Sequence, residues 1–381
     1  MTEKNKSIKK FPNLRFPGFD KEWEEKKLGE IMKNISSGKS KSITSQGKYP
    51  FFGSTGIISY SNKSDYSGDK ILIARVGANA GFIYKVEGSY AVSDNALILD
   101  VKNEKSLDFI FYYLLKYNLN KLIFGSGQPL ITGGQLKSIE IKLPLIEEQK
   151  KISSFIFLID KRIQTQKKII EDLQITKKEI SLKLFKDGFN SPKSKKENFQ
   201  KLGDITYVVN KKNKENLKLP VYSINNKKGF ISQSEQFDGI DSDERGYDIS
   251  LYKIIEKETF AYNPARINVG SIGYSGNLEN IIISSLYVCF KTTDTVDDGF
   301  LFQYLRTDIF RKEVLRNVEG GVRDYLFYES FSRIKINLPD IKEQKKIAEF
   351  LYKLDEKINL ENDLLIQYEN QKKYLLQNLF I

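Results

Sequence analysis

The chain has 381 residues, with 61 Lys and Arg against 49 Asp and Glu, a formal charge of +12 and a pI near 9.2. That length predicts two domains, and that charge favours a polyanionic partner. Histidine is absent and Cys289 is the single cysteine, which excludes Ser-His-Asp and Cys-His catalysis, an internal disulfide and a structural zinc site.

In chain order, residues 1–19 are polar, carry Pro12, Pro17 and Gly18, and read as an N-terminal arm. The start is basic but lacks an apolar core, so it is not a secretory signal. No apolar run reaches the ~18 residues of a membrane span. A cytoplasmic protein without a membrane partner is expected, and a lone cysteine suits that compartment. Residues 20–145 read as a first mixed domain. It opens with WEEKKLGEI (23–31), and KYPFFGSTGIISYSN (48–62) is strand-and-turn material. DKILIARVGANAGFIY (69–84) predicts a buried strand, a Gly-rich turn and a return strand, and LDFIFYYLLKY (107–117) a helix. A half-buried strand of alternating residues, 139–143, ends this domain.

A long helix is expected over 146–186, then a Gly/Ser/Pro and charge-rich linker at 187–197. The second domain, 198–340, starts with FQKLGDI (199–205), which matches residues 27–31. ETFAYNPARINVGSIGY (258–274) again puts an arginine beside a Gly-rich turn, and DGFLFQYLRTDIFRKEVL (298–315) replaces the earlier helix. A second long helix is expected over 341–381, opening with Pro339-Asp340 and Glu343 as a capping box.

Two of these stretches are one stretch repeated. Residues 139–164 and 334–359 align without a gap at an offset of 195, with thirteen of twenty-six positions identical. Such a period is too long for a solenoid and reads as a duplicated half-chain module. After its proline each copy takes a 3-4 apolar spacing. Ile152, Ile156, Ile159, Ile163 and Ile170 correspond to Ile347, Leu351, Leu354, Ile358 and Leu365. Gln166 and Lys177 fall on polar seam positions, as do Glu361 and Lys372. A seam of about four heptads predicts pairing of the two helices, and a helix of that length is a rod near ~60 Å. The alternative is that each helix packs only on its own globular half. In an antiparallel pair Gln166 and Glu361 are expected in one layer, where buried polar groups fix register.

Enzyme signatures fail on particular residues. Gly38-Lys39-Ser40 lacks the upstream glycine of a phosphate-binding loop, because Lys33 stands there. Asn263-Pro264 is followed by Ala265 and Arg266 rather than the Pro-aromatic of adenine methyltransferases. Pro339-Asp340 with Glu343 and Lys345 spells a nuclease-like string, but on a helix start. Binding residues are better represented. Arg75, Asn79, Gln128, Arg266, Asn268 and Arg323 occupy Gly-rich turns and carry the forks that read guanine and adenine edges. Tyr325 lies beside Arg323, and Lys39, Lys41 and Lys48 are candidates for phosphates.

The doubled Leu-Pro-x-Ile-x-Glu-Gln-Lys-Lys-Ile string (143–152 and 338–347), GSGQPLITGGQLKSIEI (125–141) and FAYNPARINVGSIG (260–273) resemble the specificity subunits of type I restriction–modification enzymes, over essentially the whole chain. The resemblance implies an α+β fold of two mixed α/β target-recognition domains joined by two long antiparallel helices in a coiled coil, as pseudo-two-fold duplicated halves. It implies a double-stranded DNA partner with a bipartite target, no active site or cofactor in this chain, two methyltransferase subunits and two restriction subunits. S-adenosylmethionine would then belong to the methyltransferase partner, and ATP and magnesium to the restriction partner. The competing reading is a coiled-coil DNA-binding or regulatory protein acting without enzyme partners.

Overall fold

A computed structural model describes residues 11–41, 46–123, 129–187, 198–236, 248–318 and 325–381. The chain forms two compact units, Met1–Lys167 with Asp363–Ile381, and Lys168–Asn362. Each unit includes part of both long helices, Ile146–Asp187 and Ile341–Asn378.

In the first unit, strand Glu24–Lys27 pairs antiparallel with Glu140–Leu143 and closes the globular segment at its base. Between them lie two four-stranded sheets. One has the order Met32–Ser37, Ala96–Val101, Lys70–Ala74, Ile83–Val86, all antiparallel. The other has the order Gly56–Ser61, Tyr49–Gly53, Ser89–Val92, Tyr66–Ser67, with the middle pair parallel. Successive strand residues face opposite ways. Ile71 and Ile73 therefore enter the large core with Phe109, Leu114, Ile152 and Ile156, whereas Leu72 and Ile98 join Tyr90 and Val92 in a second core. Burial on both faces is why Lys70–Ala74 is nearly continuous in apolar residues.

The second unit repeats this plan. Phe199–Lys201 pairs with Lys335–Asn337. Its sheets run Thr206–Val208, Val288–Thr292, Phe260–Tyr262, Ile272–Tyr274 and Gly229–Ser232, Val221–Asn225, Ile281–Ile283, Lys253–Ile255, the latter again with a parallel middle pair. The stretch 298–315, read from sequence as one helix, is two: Asp298–Leu305 and Asp308–Asn317. Thr307 is the reason. Its backbone is extended, and its hydroxyl accepts the Phe310 N–H at 3.2 Å, capping the second helix.

Within each unit the long helices run antiparallel. In the first, Asp160 meets Lys372 at 2.6 Å and Lys167 meets Glu369 at 2.9 Å. In the second, Lys177 meets Asp355 at 2.5 Å, while Leu184 and Phe185 share a core with Ile347 and Leu351. Ile152, Ile156, Ile159, Ile163, Ile170, Ile347, Leu351 and Ile358 are buried, and Leu354 and Leu365 partly so. Most of these residues also pack on the globular part of their own unit. Helix pairing and packing on the globule, posed as alternatives by the sequence, occur together. Gln166 lies in the first unit and Glu361 in the second; both are buried, and Glu361 holds Lys357 at 2.5 Å.

The polar seam lysines form a reciprocal pair of contacts. Lys372 holds Asp160, whose other carboxylate oxygen accepts the Tyr112 hydroxyl at 2.9 Å. Lys177 holds Asp355, whose other oxygen accepts from Gln303 Nε2 at 2.9 Å. Asp160 and Asp355 are equivalent at the 195 offset, and so are Lys177 and Lys372. Each aspartate thus joins the partner helix to the globular part of its own unit. Burial outweighs the carboxylate's attraction at Lys177 and lowers its pKa.

The repeat's glutamine has a similar linking role. Gln344 is 1% exposed. It donates to Pro339 O and Thr295 O, and accepts the Asp297 N–H at 2.8 Å. Its equivalent, Gln149, donates to Pro144 O only, and its buried Oε1 has no partner among the described residues. Gln344→Ala is therefore expected to cost about 2–4 kcal/mol and Gln149→Ala only about 1 kcal/mol; denaturant midpoints of the two variants check this. Asp340 caps the second long helix by accepting the Glu343 N–H at 2.9 Å.

The described part of the arm docks on the first unit. Arg15 forks onto the buried carboxylate of Glu148, Phe16 packs edge-on against Phe155, and the Leu14 N–H bonds to Asn378 O. Residues 1–10 and the linker residues 188–197 lie outside the described residues.

Candidate nucleic-acid interface

In the antiparallel sheet of the first unit, the ends that follow Ser37 and Ala74 and precede Ala96 and Ile83 lie together. That register places Lys39, Arg75, Asn79, Phe82 and Asn95 at one end of one sheet. Backbone hydrogen bonds lock the end: Gly38 N to Ala96 O at 3.0 Å, Ser40 N to Val92 O at 2.9 Å, and Arg75 N to Asn95 O at 2.9 Å. A Cβ on Gly38 would lie 2.3 Å from the carbonyl oxygens of Val92 and Ser93. The glycine that suggested a phosphate loop thus serves a close backbone approach. Ser40 turns inward to Asp65 and Val92, and its neighbours Lys39 and Lys41 are exposed. Lys48 lies beside the Tyr49 ring and is exposed.

The turn 75–81 is braced by residues 129–131. Ile131 N bonds to Arg75 O at 2.8 Å and Gly77 N to Pro129 O at 3.1 Å. Arg75 is half-buried, and its buried Nε has no hydrogen-bond partner among the described residues. Asn79 is exposed. Gln128 lies outside the described residues, one position before Pro129.

The second unit builds the same end. Asn263 N bonds to Ser271 O at 3.1 Å, as Ala74 N does to Phe82 O; Leu326 N bonds to Pro264 O, as Ile131 N does to Arg75 O; Val269 N bonds to Arg266 O, as Ala80 N does to Gly77 O. Both turns close on a left-handed glycine, Gly81 at φ +89° and Gly270 at φ +90°. The two arginines, paired by their sequence surroundings, are therefore not equivalent. Pro264 occupies the place of Arg75, Arg266 that of Gly77, and Asn79 and Asn268 coincide. Sequence similarity located the turn, but its register comes from the hydrogen bonds. Arg266 is exposed and Asn268 half-buried. Tyr325 stacks on Phe327 with centroids 5.7 Å apart, next to the Leu326–Pro264 bond. Arg323 lies outside the described residues.

Several residues at these ends were passed over in the sequence. The hairpin Val221–Asn225 to Gly229–Ser232 has its tip at the turn, because Ser271 Oγ donates to Ile224 O at 3.1 Å. Asn225 Oδ1 accepts the N–H groups of Lys227 and Lys228, which are both exposed. The signal was the Asn-Asn-Lys-Lys-Gly run between strand residues. In the first unit the matching hairpin exposes Ile57 and Ile58, and Phe82 is 59% exposed. Cys289 sits inside the second unit's sheet, where burial pushes its thiol up to about 11, so it is not a nucleophile at neutral pH. Among the described residues, no group of three His, Cys, Asp or Glu could hold a metal, and no helix is long and apolar enough to cross a membrane.

Chemically, each sheet end offers cations, amides and a guanidinium on loops braced by regular structure. Such groups can hold phosphates and read base edges. Comparison with known proteins points to the same activity. The type I restriction enzyme MjaVIII specificity subunit of Methanocaldococcus jannaschii is 26% identical, covering 98% of this chain and 95% of that protein. The EcoprrI specificity subunit of Escherichia coli is 31% identical over 39% of this chain and 38% of its own length. The crystal structure of a type I restriction–modification system S subunit from M. genitalium superposes with a TM-score of 0.66 at 18% identity, covering 97% of this chain and 99% of that one. Residues 20–174 and 189–370 both match the type I restriction modification DNA specificity domain, and the chain belongs to that family.

Proposed function

We propose that this chain is the DNA-recognition subunit of a type I restriction–modification complex, each unit reading one part of a bipartite double-stranded target. The observation that carries this reading is the repeated sheet end. Three of its backbone hydrogen bonds and its closing left-handed glycine recur in both units, while most of the side chains on the turn differ. A constant frame with different reading groups suits two different half-sites. The chain supplies recognition and geometry. Two methyltransferase subunits would bring S-adenosylmethionine, and two restriction subunits would bring ATP and magnesium. By itself the chain would neither methylate nor cleave.

Co-expression with its methyltransferase partner, followed by sequencing of methylated adenines, tests the reading. One bipartite motif is expected with the partner and none with the chain alone. Methylation scattered without a motif would refute it. At the level of residues, Arg75→Ala is expected to cost about 1–3 kcal/mol and to relax one base pair of one half-site. Lys39→Ala with Lys41→Ala is expected to weaken all sequences alike and to flatten the salt dependence. Binding curves at several salt concentrations separate the two behaviours.

A further inference from the structure

The first unit exposes an apolar group among its reading residues. Phe82 closes the turn 75–81, with its N–H bonded to Asn79 O at 2.9 Å. Its ring lies 6.0 Å from that of Tyr84, which stacks on Phe52 at 5.7 Å. The Tyr84 hydroxyl donates to Gly53 O at the hairpin tip, and Ile58 lies so close over Gly53 that a Cβ there would be 2.8 Å from its Cδ1. Phe82 and Ile58 thus flank one cluster of Phe52, Gly53 and Tyr84, at 59% and 44% exposure. The turn does not force this exposure, because the equivalent residue of the second unit, Ser271, is 4% exposed.

Apolar groups at a sheet end that also carries Lys39 and the guanidinium of Arg75 do not suit a protein partner's apolar face alone. They suit a polyanion that also offers apolar atoms. In the DNA major groove that atom is the thymine C5 methyl, the one apolar feature of the base edges. Resting on the recognition role proposed above, we infer that Phe82 contacts a thymine methyl in the half-site read by the first unit. That unit then selects thymine by apolar contact, whereas the second has the buried Ser271 at the corresponding place, beside the basic hairpin tip Lys227–Lys228.

The test uses the complex of the chain with its methyltransferase partner and a pool of duplexes carrying randomised positions. Wild type is expected to enrich a bipartite motif with thymine in one half, and Phe82→Ala to enrich the same motif degenerate at that position. Replacing that thymine by deoxyuridine removes only the methyl group. Wild type should then bind about fourfold more weakly, the value of one buried methyl. Phe82→Ala should show no difference between the two bases, and Phe82→Leu should keep the preference. Equal motifs for wild type and Phe82→Ala, with wild type indifferent to deoxyuridine, would overturn the methyl contact and leave the recognition role standing. A folded Phe82→Ala chain that no longer co-elutes with the methyltransferase would overturn it in favour of a protein contact. No enriched motif with wild type would overturn the recognition role itself, and this inference with it.

Discussion

Exchanging residues 28–135 for the matching segment of another family member is expected to replace one half of the DNA target and leave the other half unchanged. The exchanged segment contains both sheets of the first unit and the whole loop end with Lys39, Lys41, Arg75, Asn79 and Phe82. It leaves in place the pair Glu24–Lys27 with Glu140–Leu143 and both long helices. Each mismatched base pair costs about 1–3 kcal/mol, so losing two or three contacts should lower affinity for the original target by roughly a hundredfold or more. The donor must keep apolar residues opposite Ile152 and Ile156, which pack into the exchanged core. Methylated adenines mapped in cells carrying the hybrid report the result. If both halves of the motif change together, the two units do not read independently.

Asp355→Lys is expected to destabilise the second unit by about 3 kcal/mol, the range for breaking a largely buried pair. Both side chains of the Lys177–Asp355 pair are less than a quarter exposed. Asp355 also faces Gln303 at 2.9 Å and Arg306 at 3.5 Å, so a lysine there would stand among cations. Adding Lys177→Asp restores opposite charges and should recover part of the loss. Thermal melts of the two variants decide. If the double variant is no better than the single, the pair does not set the packing of the helices.

The two helices and the duplication were legible because their signal is long and periodic. A 3-4 seam of four heptads that recurs at one offset is hard to produce without two long helices, and Leu-Pro-x-Ile marks where strand gives way to helix. The sheets were harder. Strands such as Phe260–Tyr262 and Ile281–Ile283 are three residues long and buried on both faces, so they show no alternation. The break at Thr307 was readable as a capping residue, but the apolar run across it masked it. At the candidate interface, the turns that carry Arg75, Asn79 and Asn268 were legible because Gly-rich turns after a buried strand stand out. The equivalence of Arg266 with Gly77 could not, because it depends on which carbonyl each N–H meets. Phe82 was passed over because an aromatic next to a strand ordinarily reads as core.

The first unit is not continuous in sequence. Residues 363–381 belong to it, and Leu375, Leu379 and Phe380 lie in its main core, with Phe380 5.0 Å from Phe109 and Lys116 bonded to the backbone of Ile381. The second unit, 168–362, is one uninterrupted segment. On the ribosome the order of completion therefore reverses the order of synthesis: the N-terminal reader emerges first but must wait for the last turns of the second long helix. A chain cut short after residue 362 would hold one finished reader and one with an open core, a state for chaperones to shield and proteases to remove. The last nineteen residues are thus part of the first reader's fold rather than an appendage to the second.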